Sequence, residues 1–231
     1  MERRVNLEYI SSRQSGNSAR AVGLRVRSYA KFSGISRMHA YVINLDRRPD
    51  RLSEISSHLS ALDISFQRIS ACDGQVWDGT GWKVRGRCHE QRWRGLAGCY
   101  FSHINALETA IANDIFPCMI LEDDAVFSEK PQPQSGMIYL GGYESDTGIY
   151  GSHAIMYGSS ADATSFLEYA KTRKNTIDSI GNSFRKSHAF VQKYHTGFIV
   201  TQRKSYSDIE GATVARTPDG KLRRAAVTAV P

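Results

Sequence analysis

The chain has 231 residues, 41% hydrophobic and 23% charged, an ordinary balance for a folded globular protein. No apolar stretch approaches the roughly 20 residues a membrane-spanning helix needs, and Ala21-Val22-Gly23-Leu24 is too short for the apolar centre of a secretory signal. The net charge of +7 hints at nucleic acid, but it sits at the ends: residues 1–37 carry eight Lys/Arg against two acids, residues 216–231 carry four against one, and 38–215 is left at −2.

Basic ends can touch anionic lipid or nucleic acid. Their simpler reading is a pair of soluble, flexible tails. Residues 1–37 also fit an organellar transit peptide, or a start assigned too early with Met38 as the true start. The strand pattern that begins directly after Met38 favours the last. Cys72, Cys88, Cys99 and Cys118 include no Cys-x-x-Cys pair, so the spacing of a structural zinc site is missing. Without a secretory signal they read as reduced thiols of a cytoplasmic protein, with Cys99 and Cys118 simply packed in apolar runs.

From residue 39 the elements follow in order. Ala40 to Leu45 is a short apolar run that predicts a strand. Pro49 suits a first helical turn, and Leu52, Ile55, Leu59 and Leu62 predict a helix over about 49–62. Ile64 to Ile69 alternates as a second strand, closed by Asp73-Gly74. Residues 75–94 are irregular and hold all three tryptophans, Trp77, Trp82 and Trp93, among Lys83, Arg85, Arg87, Arg92 and Arg94. Such a loop stacks sugars, stacks bases, or covers a core.

Phe101, Ile104, Leu107 and Ile111 predict a helix over about 98–113. Cys118 to Leu121 reads as a strand buried on both faces, ending in Glu122-Asp123-Asp124. Further strands are expected at Met137–Leu140, Ala154–Tyr157 and Phe198–Val200, with a helix at about 160–171. The alternation implies one α/β domain over 38–215 whose mostly parallel sheet is covered by helices on both faces, flanked by a tail at 1–37 and another at 216–231. Ligands of such sheets bind beyond the carboxyl ends of the strands. That rule gathers the loops 44–48, 72–75 and 122–126, with Asn44, Arg47, Arg48, Asp73 and the acidic triplet.

Three consecutive acids at the end of a buried strand repel one another, and a divalent cation relieves that cost. Mg²⁺ or Mn²⁺ takes one or two carboxylates plus phosphate oxygens, so Glu122, Asp123 and Asp124 point to a metal–diphosphate site. A solvated acidic loop or a helix N-cap is the plainer alternative. A strand running through a polar loop into a helix suits phosphate, and Arg47-Arg48 offers bidentate donors. The same residues also fit a charged surface turn. No glycine-rich phosphate loop is present. Ser102 and His103 diverge on a helix and make no nucleophilic pair, and no Gly-x-Ser-x-Gly elbow supports a hydrolase.

Taken together, three segments resemble glycosyltransferase family 25, the lipopolysaccharide/lipooligosaccharide galactosyltransferase-like family, to which collagen galactosyltransferase domains are related. They are Tyr41-Val42-Ile43-Asn44-Leu45-Asp46-Arg47-Arg48-Pro49-Asp50-Arg51, Gly98-Cys99-Tyr100-Phe101-Ser102-His103, and Ile120-Leu121-Glu122-Asp123-Asp124. Asp73-Gly74 is similar to the family's turn after the second strand, and Tyr150 to Ala154 and Ser207-Asp208-Ile209 are weaker echoes. Leu96 departs from the pattern, because the family usually has Glu two residues before the Gly-Cys pair.

The resemblance implies a GT-A-like (Rossmann-like) fold and an inverting, metal-dependent transfer of a hexose such as galactose from a UDP-sugar to a saccharide or glycolipid acceptor. Glu122, Asp123 and Asp124 would hold Mn²⁺ or Mg²⁺. Asn44, Arg47 and Asp73 would line the nucleotide, with Arg48, Arg51 and Ser102 in the same binding set. Asp178, His103 and His195 are the candidates for deprotonating the acceptor. A lipid-linked acceptor would bring the protein to the inner membrane surface. The rival readings are a non-catalytic sugar- or nucleic-acid-binding module, and a glycosyltransferase acting on modified phage DNA.

Overall fold

The computed structural model describes residues 38–76, 90–173, 175–207, 212–216 and 222–224. Both tails as expected from sequence fall largely or wholly outside them, as do Trp77 and Trp82.

Strand β1 (His39–Asn44) alternates between two buried faces. Tyr41 and Ile43 enter one hydrophobic cluster, Ala40 and Val42 the other. Helix α1 (Pro49–Ala61) starts on Pro49, whose fixed φ suits a first turn, and buries Ile55 and Leu59 in the second cluster. Strand β2 (Ser65–Ser70) returns parallel to β1.

Helix α2 (Glu90–Asn113) begins earlier than the predicted 98, because the Trp/Arg-rich run is already helical from Glu90. Leu107 and Ala110 lie in the first cluster, on the sheet face opposite α1. Trp93 packs against that cluster, the covering role among the three weighed for its loop. Gly98 lets α2 approach the 71–74 loop: a Cβ there would stand 2.5 Å from the Cys72 carbonyl oxygen.

Strand β3 (Cys118–Glu122) is buried through Leu121 and lies parallel to β1. The chain continues through β4 (Ala125–Phe127), β5 (Met137–Tyr139), a hairpin of β6 (Tyr143–Ser145) and β7 (Gly148–Tyr150), and β8 (Ala154–Tyr157). Helix α3 (Ser160–Lys171) is capped by Ser159, whose Oγ accepts the Asp162 N–H at 3.2 Å. Helix α4 (Ile177–Arg185) is capped by Thr176, and then come β9 (Val191–Lys193), β10 (Val200–Gln202), β11 (Ser205–Ser207), β12 (Ala212–Arg216) and β13 (Leu222–Arg224).

The main sheet has six strands in the order β2-β1-β3-β8-β5-β9. β8 runs antiparallel to both neighbours, and the other pairings are parallel. The mostly parallel α/β architecture read from the sequence is therefore present, with one reversed strand inside it. β10 pairs antiparallel with β4, and β11–β13 form a separate three-stranded sheet. Among the described residues no helix is long and apolar enough to cross a membrane.

Candidate functional site

The carboxyl ends of β1, β2 and β3 lie side by side, with Asn44 in register with Ser70 and Ile43 with Glu122. The three expected loops therefore meet. Asn44 Nδ2 donates to Asp123 Oδ2 at 2.8 Å and to the Arg48 carbonyl at 2.9 Å. Arg47 Nε donates to Asp73 Oδ2 at 2.8 Å. Although burial acts upward, Arg47 and the Gln75 N–H hold the Asp73 carboxyl below its ordinary value.

The acidic triplet divides by environment. Asp123 is 6% exposed, and its other oxygen accepts from Arg51 Nη1 at 2.9 Å. Burial still lifts its carboxyl above the ordinary range, against the opposing pull of Arg51 and Asn44. Glu122 and Asp124 face a common space across from Gln202, whose amide nitrogen is 3.5 Å from Glu122 Oε2 and 3.4 Å from Asp124 Oδ1. Burial, and after it the Glu122 carboxylate, pushes Asp124 up to about 7. Two converging carboxylates with hard oxygen donors, one held far above its usual range by burial and like charge, fit a divalent cation such as Mg²⁺ or Mn²⁺.

His103, 2% exposed, places Nε2 3.3 Å from Glu122 Oε1. Cys99, one helical turn earlier, donates its Sγ–H to the same oxygen at 3.7 Å. In the sequence Cys99 reads as a packed thiol and as part of the Gly-Cys segment, with no sign of a metal role. Burial, followed by the negative charges of Glu122, Asp178 and Asp124, raises that thiol well above its usual range, which sets Asp178 in the same neighbourhood. Asp178 lies in the first turn of α4, and its Oδ1 accepts the Gly151 N–H at 3.2 Å.

The remaining candidates sit differently. Ser102 Oγ donates to the Gly98 carbonyl at 2.6 Å and accepts the Cys72 N–H at 2.9 Å, so it ties the 71–74 loop to α2. Arg48 pairs with Asp50 at 2.8 Å on the surface. His195 is exposed and contacts Gln134 and the Tyr194 ring rather than the acidic triplet.

Two contributors escaped the sequence reading. Gln202 reaches the site because β10 pairs it with Ala125, a long-range register no local pattern announces. Arg68 donates to Asn44 Oδ1 at 3.0 Å and pairs with Asp46, bracing the loop after β1. An arginine in a half-exposed strand gave no signal beyond its charge. Leu96, the departure from the family pattern, lies three residues before Cys99 and seven before His103, on the same face of α2.

A family model described as "Glycosyltransferase family 25 (LPS biosynthesis protein)" matches residues 38–202. A Mus musculus protein named "Inactive glycosyltransferase 25 family member 3" is 28% identical over 109 residues, covering 43% of this chain and 18% of that protein. The aligned part is thus under a fifth of that relative's length. The family match runs from β1 through β10 and includes the ends of β1, β2 and β3, so the chain belongs to glycosyltransferase family 25.

Proposed function

We propose that the chain is an inverting glycosyltransferase of GT-A-like architecture that moves a hexose from a UDP-sugar to a saccharide or glycolipid acceptor in surface-glycan synthesis. The observation that carries this reading is the convergence of Glu122 and Asp124 at the end of β3, with Asp124 pushed up to about 7 by burial and its neighbour. That pair would hold Mn²⁺ or Mg²⁺, which when bound neutralises the charge of the departing diphosphate.

The chain's own residues supply the rest. Asp123, paired with Arg51 and hydrogen-bonded by Asn44, fixes the backbone that aims its two acidic neighbours. Arg47 and Asp73 border the nucleotide side. Asp178 is favoured as the base, because it shares the neighbourhood of Glu122 and is only half-buried, whereas His103 is enclosed and His195 faces elsewhere. The acceptor hydroxyl gives its proton to Asp178 as its oxygen attacks the anomeric carbon. The bond from that carbon to the diphosphate oxygen breaks on the opposite face, which inverts the centre.

A second reading, a donor-binding module without turnover, is favoured by Leu96 on the face of α2 that also carries Cys99 and His103, and by the similarity to a relative named as inactive. One assay separates them. The protein is incubated with a panel of nucleotide sugars and Mn²⁺, with and without saccharide acceptors, and released nucleoside diphosphate is measured. Release from one donor, abolished by EDTA and by Asp124→Ala, supports the transferase. Metal-dependent UDP binding without release supports the module. Absence of both binding and release rejects the nucleotide-sugar reading.

A further inference from the structure

Two side chains, Cys99 and His103, meet Glu122 on one side, a trio that the transfer does not require as a set. Cys99 and His103 stand one turn apart on α2, and Glu122 ends the adjacent β3. The Cys99 sulfur, a His103 ring nitrogen and a Glu122 carboxylate oxygen all lie within 4.8 Å of one another. The sulfur is 3.7 Å and the His103 Nε2 3.3 Å from Glu122 Oε1. Ligands of a tetrahedral zinc ion, with bonds of about 2.0–2.3 Å, are about 3.3–3.8 Å apart. Two of the three separations already match that spacing.

The donor types select the ion. One sulfur, one nitrogen and one oxygen suit borderline-soft zinc, whereas Mg²⁺ and Mn²⁺ prefer oxygen alone. Three protein ligands leave a fourth position open, the pattern of an exchangeable site rather than a closed structural one. The scaffold is fixed in advance: Gly98 seats α2 against the Cys72 carbonyl, and the Glu122 N–H donates to the His153 carbonyl at 2.9 Å. The carboxylates of Asp178 and Asp124 add negative potential around the sulfur.

We propose that Cys99, His103 and Glu122 form a zinc-binding site that shares Glu122 with the hard-cation pair, so that zinc occupancy withdraws Glu122 from Asp124 and holds the enzyme off. The zinc site stands on its own geometry, and only the inhibitory consequence rests on the proposed transferase function. On binding, the Cys99 proton leaves for solvent and the ion takes the thiolate, the neutral His103 imidazole and the Glu122 carboxylate.

The test titrates the full chain with Co²⁺ and records sulfur-to-cobalt charge-transfer absorption in the near ultraviolet. The band is expected in the wild type, in Cys72→Ser and in Asp124→Asn. Zinc should displace it, and it should be lost in Cys99→Ser. X-ray absorption of the zinc-loaded wild type should show one sulfur at about 2.3 Å, a readout that does not depend on any variant folding. A wild type with neither the band nor the sulfur shell, or a band that survives Cys99→Ser, overturns the site. A protein that shows the band but releases no nucleotide from any donor keeps the zinc site and loses the transferase reading. Release without the band does the reverse.

Discussion

Arg51 and Asp123, 72 residues apart in the chain, form a buried ion pair with Nη1 2.9 Å from Oδ1. Asn44 occupies the second oxygen of Asp123. This contact staples the start of α1 to the end of β3. Removing one partner of a buried pair leaves an uncompensated charge and costs about 3–5 kcal/mol. Arg51→Met is therefore expected to lower stability by about that amount in urea unfolding, and the double change Arg51→Met with Asp123→Leu should recover part of it. A loss of under about 1 kcal/mol in the single variant would show that the pair does not hold the loop.

The elevated Asp124 makes stability depend on pH. Its carboxyl rises from 3.8 to about 7 on folding, so between those values the folded chain binds more protons than the unfolded one. The contribution is fully present below pH 3.8 and is lost as pH rises through about 7. Calorimetry in EDTA should show this term falling from pH 5 to pH 8, with the fall reduced in Asp124→Asn. Mg²⁺ or Mn²⁺ should raise the Tm more at pH 8 than at pH 5, and an equal rise at both would count against Asp124 as a ligand.

Gln202 touches both acids proposed to bind metal without being a ligand itself. Partners of this kind typically alter metal affinity about 10–100-fold. Gln202→Leu is expected to weaken Mn²⁺ binding within that range, read by electron paramagnetic resonance, with the far-ultraviolet circular dichroism unchanged. Unaltered affinity would leave Gln202 as a packing residue.

Asp178 separates transfer from donor chemistry. Loss of a general base typically costs about 10²–10⁴-fold. Asp178→Asn keeps the contact with the Gly151 N–H and should lose transfer to acceptor on that scale, while UDP binding by calorimetry stays within about 3-fold. A parallel loss of UDP binding would move Asp178 from proton transfer to donor binding.

The parts of this molecule legible in the sequence are those with a local pattern. β1, α1, β3 and α3 follow from apolar runs, helical spacing and the breaks at Pro49 and Glu122. The three loops were brought together by one rule about strand ends, and their mutual hydrogen bonds agree. α4 escaped because its glycine, asparagine and serines weaken helix propensity. Yet Gly181 is needed there, since a Cβ would stand 2.1 Å from the Tyr139 hydroxyl. The reversal of β8 was hidden because a buried run of four residues carries no sign of its direction. Cys99 gave no metal signal because its companions come from the next helical turn and from a separate strand.

The reversed β8 has an architectural consequence. β5 points toward the rim formed by the carboxyl ends of β1, β2 and β3, and β8 sets out from it, so residues 140–153 leave and re-enter the sheet at the same rim. The β6–β7 hairpin lies within this excursion, between two adjacent strands, while the loops proposed to hold the nucleotide follow β1, β2 and β3. The layout is modular: the hairpin can differ in length or sequence without disturbing the register of the strands beneath it or the loops proposed to hold the nucleotide.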